Sequence, residues 1–412
     1  MASLGKSYAT ARQKTLHRKA TDPCLPAPSM QDSRPGSKPE PAQADACELQ
    51  LKLRRMARRI TGGLILAYIV FLAAVWAGTS LVGERNVTTA FLLYLPPGVW
   101  LVPGVFLAPL GLCFHRKGFL AMCGFLFLGI WAWAGYHPAS WQAVGSPREG
   151  PDILTVMTNN CGDNGGHSLQ PFKNATRPDL VVLQVAAGKA ADYLRAPGYT
   201  EFGHALSIGE FTLLSRYPIE ESSLLSAAAP IQDARAARFV INWNGRRVSV
   251  YSVHLMTPRF TLRSYMRGAF MWGVLGLPGT PWAEKRRYYQ SFWDTQFADA
   301  EKILSAVQGD SNPCIVAGDF NAAHQGRIHS MVTRNLGDAH AAAGLGFGFT
   351  IPGTTHNPLS LGGPWLRIDY VFYDHRWKAV ECVTENDRAS KHRAVTARLR
   401  FLNKTPVEPA AR

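Results

Sequence analysis

Three apolar stretches between residues 60 and 141 constrain this chain first. Ile60–Val82 carries no charge in 23 residues, Thr88–Phe114 none in 27, and Phe119–Trp141 none in 23. A helix crossing a bilayer needs about 20 apolar residues, so each stretch is long enough. Pro96, Pro97, Pro103 and Pro109 interrupt the second, which predicts a kinked span or a re-entrant pair. The alternative is a helical hairpin buried in a soluble core. The flanks set an orientation. Lys52, Arg54, Arg55, Arg58 and Arg59 precede the first stretch, and His115-Arg116-Lys117 separates the second from the third. Both favour the cytoplasmic side. Three full spans would put everything after Trp141 outside the cytoplasmic (inner or plasma) membrane. A re-entrant second stretch reverses that.

The rest of the chain divides around this block. Residues 1–59 are a basic tail, rich in Pro, Ser and Ala, with an expected disordered start. No apolar run follows Met1, so no signal peptide is read there. Residues 1–60 hold 12 Lys/Arg against 5 Asp/Glu, a large part of the net charge of +15. The basicity is therefore partly a tail property and no signal by itself for nucleic acid. The seven cysteines show neither metal-ligand spacing nor a disulfide framework. Residues 142–150 read as a polar linker, 151–402 as an α/β domain, and 403–412 as a tail.

Within that domain, strands are expected at Ile153–Met157, Leu180–Leu183, Phe211–Leu214, Ala237–Trp243, Arg247–Val253, Ile315–Ala317, Arg367–Tyr373, Trp377–Val383 and Ala394–Phe401. Asn244-Gly245 is a hairpin signal. Glu284–Ala306 has helical period, with Tyr289, Phe292, Gln296, Phe297, Ala300 and Leu304 on one face. Strand runs at both ends, with helices between, imply two mixed sheets packed face to face and flanked by helices. Several polar residues fall at strand ends: Asn160, His254, Asp319, Asn321, Asp369 and His392. Asp319 and Asn321 are two apart, so on an extended segment they point the same way. An Asx turn would explain them equally.

The order of these motifs resembles the endonuclease/exonuclease/phosphatase superfamily. Thr158-Asn-Asn160, Leu183-Gln184, Ser252-Val-His-Leu255, Gly318-Asp-Phe-Asn321, Ile368-Asp-Tyr-Val-Phe372 and Ser390-x-His392 occur in the family's sequence. The resemblance spans residues 152–401. It implies a four-layer α/β sandwich and hydrolysis of a phosphodiester or phosphomonoester, usually with Mg²⁺. It also implies roles. His392 is the general base, with its ring held by Asp369, and His254 donates to a phosphate oxygen. Asp319 and Asn321 position water and phosphate, and Asn160 belongs to the metal or phosphate pocket.

Two positions depart from the family. After Gln184 it carries a metal-binding Glu, and here stands Val185. Before the last His it carries Asp, and here stands Lys391. The local charge becomes three units more positive. A divalent ion about 4 Å from an ammonium, at an effective dielectric of about 20, meets a repulsion of about 8 kcal/mol. Any Mg²⁺ would be left with Asn160 and Asp319. Glu210 and Asp192 could replace the lost acid, but no spacing places either there. The expectation is that Lys391 takes the cation's place, held by Asp319 and touching the phosphate. The competing expectation is a degenerate member that binds a phosphorylated ligand or lipid headgroup without turnover.

Met256–Ala283 mixes Arg259, Phe260, Arg263, Tyr265, Met266, Arg267, Phe270, Met271, Trp272, Leu275, Leu277 and Trp282. Such a segment can stack on bases, lie in a membrane interface, or pack on the protein's own surface. A tether beside a bilayer favours membrane lipids, and a lipid headgroup or other phosphorylated small molecule, over nucleic acid.

Overall fold

Short runs of β-branched and aromatic residues, separated by turn residues, build the strands of this chain. The structure, a computed structural model, describes residues 41–138, 149–162, 168–225, 234–264, 276–353, 355, 358–360, 363–386 and 391–402. Its strands are β1 Ile153–Asn160, β2 Leu180–Gln184, β3 His204–Ile208, β4 Phe211–Ser215, β5 Ile219–Leu225, β6 Ala236–Trp243, β7 Arg246–His254, β8 Cys314–Asp319, β9 Gly337–Asp338, β10 Asp369–Tyr373, β11 Trp377–Thr384 and β12 Val395–Phe401. They form two six-stranded mixed sheets, β11-β12-β1-β2-β4-β3 and β5-β6-β7-β8-β10-β9. β1 pairs in parallel with β2, and β7 with β8.

Every residue of β1, β2, β4 and β8 is buried. Central strands covered on both faces read as continuous apolar runs, which is why the sequence showed them. Leu154, Val182, Phe211, Phe239, Val250, Ile315 and Val371 pack between the sheets. Ala300, Ile303, Leu304 and Val307 of the helix Ala283–Gln308 cover the outer face of the second sheet against Tyr251, Val316 and Phe372. Tyr199 and Phe202 pack on Met157, Val181 and Leu183 outside the first. The expected α/β sandwich is therefore present. The Asn244-Gly245 turn is present too, both residues having positive φ (52° and 84°), as a tight hairpin requires.

The apolar block departs from its expectation. The described chain divides into two compact units: residues up to 66 with 107–119, and residues 67–106 with 120 onward. In the first, Gly62 and Gly118 leave room for the His115 ring. Helix Pro41–Ala77 begins inside the expected tail. The helical segment Glu48–Arg85 is long and apolar enough to cross a membrane. The second stretch is the expected kinked or re-entrant pair, Val87–Leu93 plus Gly98–Phe114 bent by 75°, and only together do the two helices meet that test. Pro96 and Pro97 fall in the break. The third, Arg116–Ala132, is 17 residues long and is not among the candidates. Three spans thus become one continuous helix and one broken pair, and placement of the domain outside the cytoplasm no longer follows. The expected 142–150 linker lies outside the described residues up to 148, as does the 403–412 tail.

A buried charge cluster braces the second sheet. Arg367 Nη1 donates to Asp338 Oδ2 at 2.6 Å, and His329 Nε2 lies 2.9 Å from the same oxygen. Burial raises the Asp338 pKa, but Arg367 and His329 outweigh it and hold the carboxyl well below its ordinary value. Asp338 also accepts from the amides of His340 and Ala341. Arg367→Met leaves that carboxylate buried with its main charge partner gone. The expected cost is about 3–5 kcal/mol, measured by urea unfolding. A loss under about 1 kcal/mol would show that the cluster is not a brace.

Candidate functional site

Three neighbouring strands bring their polar ends into one row. His254 on β7 is in register with Asp319 on β8, and Asp319 is in register with Asp369 on β10. Gly318 permits that row. Its φ is +145°, and a Cβ there would lie 2.1 Å from the Val253 carbonyl oxygen. Asn160, at the end of β1 in the opposite sheet, reaches across. Its Nδ2 donates to Asp319 Oδ2 at 2.8 Å and lies 3.5 Å from His254 Nε2. Behind the row, Gln184 Nε2 donates to Ser252 Oγ at 3.0 Å, joining the two sheets.

Asn321 turns the chain away from β8 with φ +47°. Its amide donates to Asp319 Oδ1 at 2.8 Å, and its Nδ2 donates to the Leu255 carbonyl at 2.8 Å and to Asp319 Oδ2 at 3.2 Å. The Asx turn and the functional cluster are therefore the same object. His392 closes the group. Its Nδ1 is 3.0 and 3.2 Å from the Asp369 oxygens and 3.8 Å from Asp319 Oδ2. His254 Nε2 is 3.9 Å from that same Asp319 oxygen. Two imidazoles thus share one buried carboxylate.

Asn160, His254, Asp319, Asn321, Asp369 and His392 come together, and Lys391 does not join them. Its side chain is exposed, and the ion pairs of Asp319 run to the two imidazoles. With His392 turned inward onto Asp369, the neighbouring side chain turns outward. The expected Lys391–Asp319 pair does not form.

Sequence reasoning left Glu210 unplaced. It sits in the turn between β3 and β4, and its Oε1 lies 2.9 Å from His254 Nδ1. Its carbonyl accepts from the Ala186 amide at 2.8 Å, beside Val185, whose φ of +55° is uncommon for a β-branched residue. Asp192 instead pairs with Lys189 and Arg195 on the surface. The β3–β4 hairpin was the one signal that could have found Glu210, and β3 was not seen because it is only partly buried.

The acids set the charge of the rings. Burial opposes a proton on His392, but Asp369 and Asp319 outweigh it and raise its pKa to about 9. Burial likewise opposes a proton on His254, and its hydrogen bond to Glu210, with Asp319, raises the pKa above the ordinary value. Burial and the nearby Asp369 raise Asp319, with the imidazoles and Asn160 offsetting only part of this.

One potential ligand atom each from Asp319, Asp369 and His392 falls within a 4.8 Å cluster. Mg²⁺ takes oxygen ligands in octahedral geometry, usually one or two carboxylates with waters, and the oxygens here are already engaged in hydrogen bonds. Both Asp319 oxygens accept hydrogen bonds, and both Asp369 oxygens face His392 Nδ1. Asn160 Oδ1 accepts from the Gly162 amide at 2.9 Å, and Val185 offers no donor. Asn160 and Asp319, the fallback metal pair, bind each other.

A cleft of about 540 Å³ opens beside His254, lined by Arg235, Met256, Phe260, Tyr288, Tyr289 and Phe292 among others. Arg259 starts the short helix Arg259–Ser264, and its charge tends to lower the His392 pKa. Of the aromatic and basic segment Met256–Ala283, Tyr265, Met266, Arg267, Phe270, Met271, Trp272 and Leu275 lie outside the described residues.

Support from below comes from the apolar block. Tyr94 Oη donates to the Asn321 carbonyl at 2.8 Å, and Trp365 Nε1 donates to the Tyr94 carbonyl at 3.2 Å. Glu84 is fully buried, and its Oε2 accepts from the Arg327 amide at 2.6 Å. A Cβ on Gly326 would lie 2.0 Å from Glu84 Oε1, so only glycine fits there. A lone acid in an otherwise apolar block was the available signal for Glu84. Nothing in the sequence pointed to Tyr94.

The sequence pattern of the Endonuclease/Exonuclease/phosphatase family matches residues 167–392, more than half of the chain. No curated protein matches it. Among solved structures, the chain is similar to a functionally unknown conserved protein from Enterococcus faecalis V583, at 15% identity over 60% of this chain and 100% of that one, with a TM-score of 0.41. It is similar to the human Nocturnin catalytic domain with bound sulfate anion, at 14% identity over 61% and 94%, with a TM-score of 0.40. It is also similar to D. rerio TDP2 complexed with single strand DNA product, at 12% identity over 60% and 99%, with a TM-score of 0.42.

Tyr94→Phe removes one donor from the Asn321 carbonyl. The expected loss is about 1 kcal/mol of stability, with faster amide hydrogen exchange confined to residues 319–324. Unchanged exchange there would show that Tyr94 does not hold the turn.

Proposed function

The chain belongs to the endonuclease/exonuclease/phosphatase family, and from that premise we propose a membrane-tethered hydrolase of phosphoric esters that works through two imidazoles. The observation that carries this is the pair of acid-linked rings, His392 with Asp369 and His254 with Glu210, both within 4 Å of Asp319. A phosphodiester or phosphomonoester would take a place against the rings and Asn160. Neutral His392, with Nδ1 held by Asp369, accepts a proton from the attacking water at Nε2. Asp369 then stabilises the imidazolium that results. His254, whose hydrogen bond to Glu210 favours the protonated ring, donates in that form to an oxygen gaining negative charge. Asn321 keeps Asp319 in place. Lys391 has no part in this scheme.

The helix within Glu48–Arg85 supplies the tether. Residues 151–402 form the catalytic domain in this reading, resting on Glu84 and Tyr94 of the apolar block. A substrate at the bilayer, such as a lipid headgroup or another small phosphoester, suits the aromatic and basic cleft better than a long nucleic acid.

The raised His392 pKa favours a second reading. At neutral pH the ring is already protonated, so the site can hold an anion without activating water. The two readings separate in one experiment. The full-length protein in detergent is assayed with bis-p-nitrophenyl phosphate from pH 6 to 10 in EDTA. A hydrolase gives a bell-shaped kcat/KM profile, because His392 must be neutral while His254 is protonated; one limb lies near pH 9, where His392 loses its proton, and the other where His254 does. Asp369→Asn moves the limb near pH 9 to lower pH, since Asp369 is a cause of the raised value. His392→Ala lowers kcat by about 10²–10⁴-fold. Loss of all turnover in EDTA would sink the two-imidazole mechanism. No turnover at any pH, with inorganic phosphate bound at pH 7 and released above pH 9, would establish the binder.

A further inference from the structure

A second cavity lies apart from the residues of the phosphoester site. Its volume is about 340 Å³, within the range of about 300–1,000 Å³ common for small-molecule sites. Leu72, Val75 and Trp76 line it, and they belong to the helix long and apolar enough to cross a membrane. Trp100, Trp133 and Phe349 line it too, and among the described residues no charged side chain does. Trp133 Nε1 donates to Thr79 Oγ1 at 3.0 Å. Trp100 is 8% exposed, and its Nε1 has no hydrogen-bond partner among the described residues. A buried donor left in that state costs about 1–3 kcal/mol.

We propose that this cavity binds one acyl chain of a bilayer phospholipid. Walls without charge exclude the headgroup. The membrane-length helix in the lining selects a lipid over a soluble apolar metabolite. Occupancy bears on the phosphoester site through one peptide unit. Phe349 lines the cavity, and the next residue, Thr350, holds the site from behind. Thr350 Oγ1 accepts from the Ile368 and Asp369 amides at 3.3 Å. Its carbonyl accepts from the Arg393 amide, next to His392, at 2.9 Å. A bound chain packs on Phe349 and steadies that brace. Lipid binding stands independently of the proposed hydrolysis, whereas the effect on turnover rests on it.

Gly129 supplies the test. It lines the cavity, and a Cβ there meets nothing within 4 Å. Gly129→Leu therefore starts its side chain in open space at the cavity wall, at a helical position where leucine is the better former. The full-length protein, delipidated in detergent, is mixed with a phosphatidylglycerol bearing a diazirine on one acyl chain, then irradiated. Labelling is expected on peptides containing Leu72–Trp76 or Phe347–Phe349, and it falls about tenfold in Gly129→Leu with an unchanged or higher Tm. Label absent from these peptides, or undiminished in a folded Gly129→Leu protein, overturns the proposal. Hydrolysis of bis-p-nitrophenyl phosphate is measured on the same samples. Turnover without labelling rejects the lipid site alone. Labelling without turnover supports the lipid site and counts against the hydrolase.

Discussion

Asp319 is the group on which the site depends. It is 1% exposed, and a carboxylate in that position survives only with charge partners and donors around it. Asn160 and Asn321 supply the donors, and two rings supply the charge. Unit charges about 4 Å apart, at an effective dielectric of about 20, attract by about 4 kcal/mol. Each ring has a second acid behind it, so each is held in place from both sides. Removing any one acid leaves its ring less charged and Asp319 less well compensated. Proton position, ring orientation and the geometry of the turn after β8 are therefore one property. The same pairing makes His392 stabilise the fold most below its ordinary pKa near 6.5. That contribution fades as pH climbs through about 9.

This arrangement explains how the chain accommodates Val185. The acid expected there is absent, and Glu210 enters from the next hairpin, but it meets a ring rather than open space between carboxylates. Positive charge then sits on imidazoles, where covalent geometry fixes it, and it can be removed as a proton. A lysine at position 391 could not do the same. Its ammonium is strongly hydrated and its stem flexible, so it stays at the surface while its rigid neighbour is buried.

Much of this was legible in the sequence because it is local. Apolar runs gave the central strands, and Asn244-Gly245 gave the hairpin. The two-residue spacing of Asp319 and Asn321 allowed either an extended pair or an Asx turn, and the turn is what forms, with Asn321 beyond the strand. What stayed hidden was set by tertiary contact. Edge strand β5 reads Ile-Glu-Glu-Ser-Ser-Leu-Leu, with exposed acids of the kind that protect an edge, and no apolar pattern marks it. Glu210 finds His254 across 44 residues, and Tyr94 finds Asn321 across 227. Hydropathy counted three membrane stretches because it measures composition and is blind to direction. The Pro96-Pro97 break converts the second stretch into two pieces at 75°.

That break has a structural use. The chain emerging from the membrane-length helix does not leave for a separate domain. It turns, sets Glu84 against the Arg327 amide, and places Tyr94 under Asn321. Residues 67–106 accordingly belong to the same compact unit as both sheets. A boundary drawn at residue 150, where the sequence texture changes, would cut away the donor to the Asn321 carbonyl and the only described carboxylate on the Arg327 amide. The Gly318–Asn321 turn would then keep its chemistry and lose part of its floor. The apolar block is thus a foundation of the site, and a disturbance of Tyr94 reaches Asp319 through Asn321.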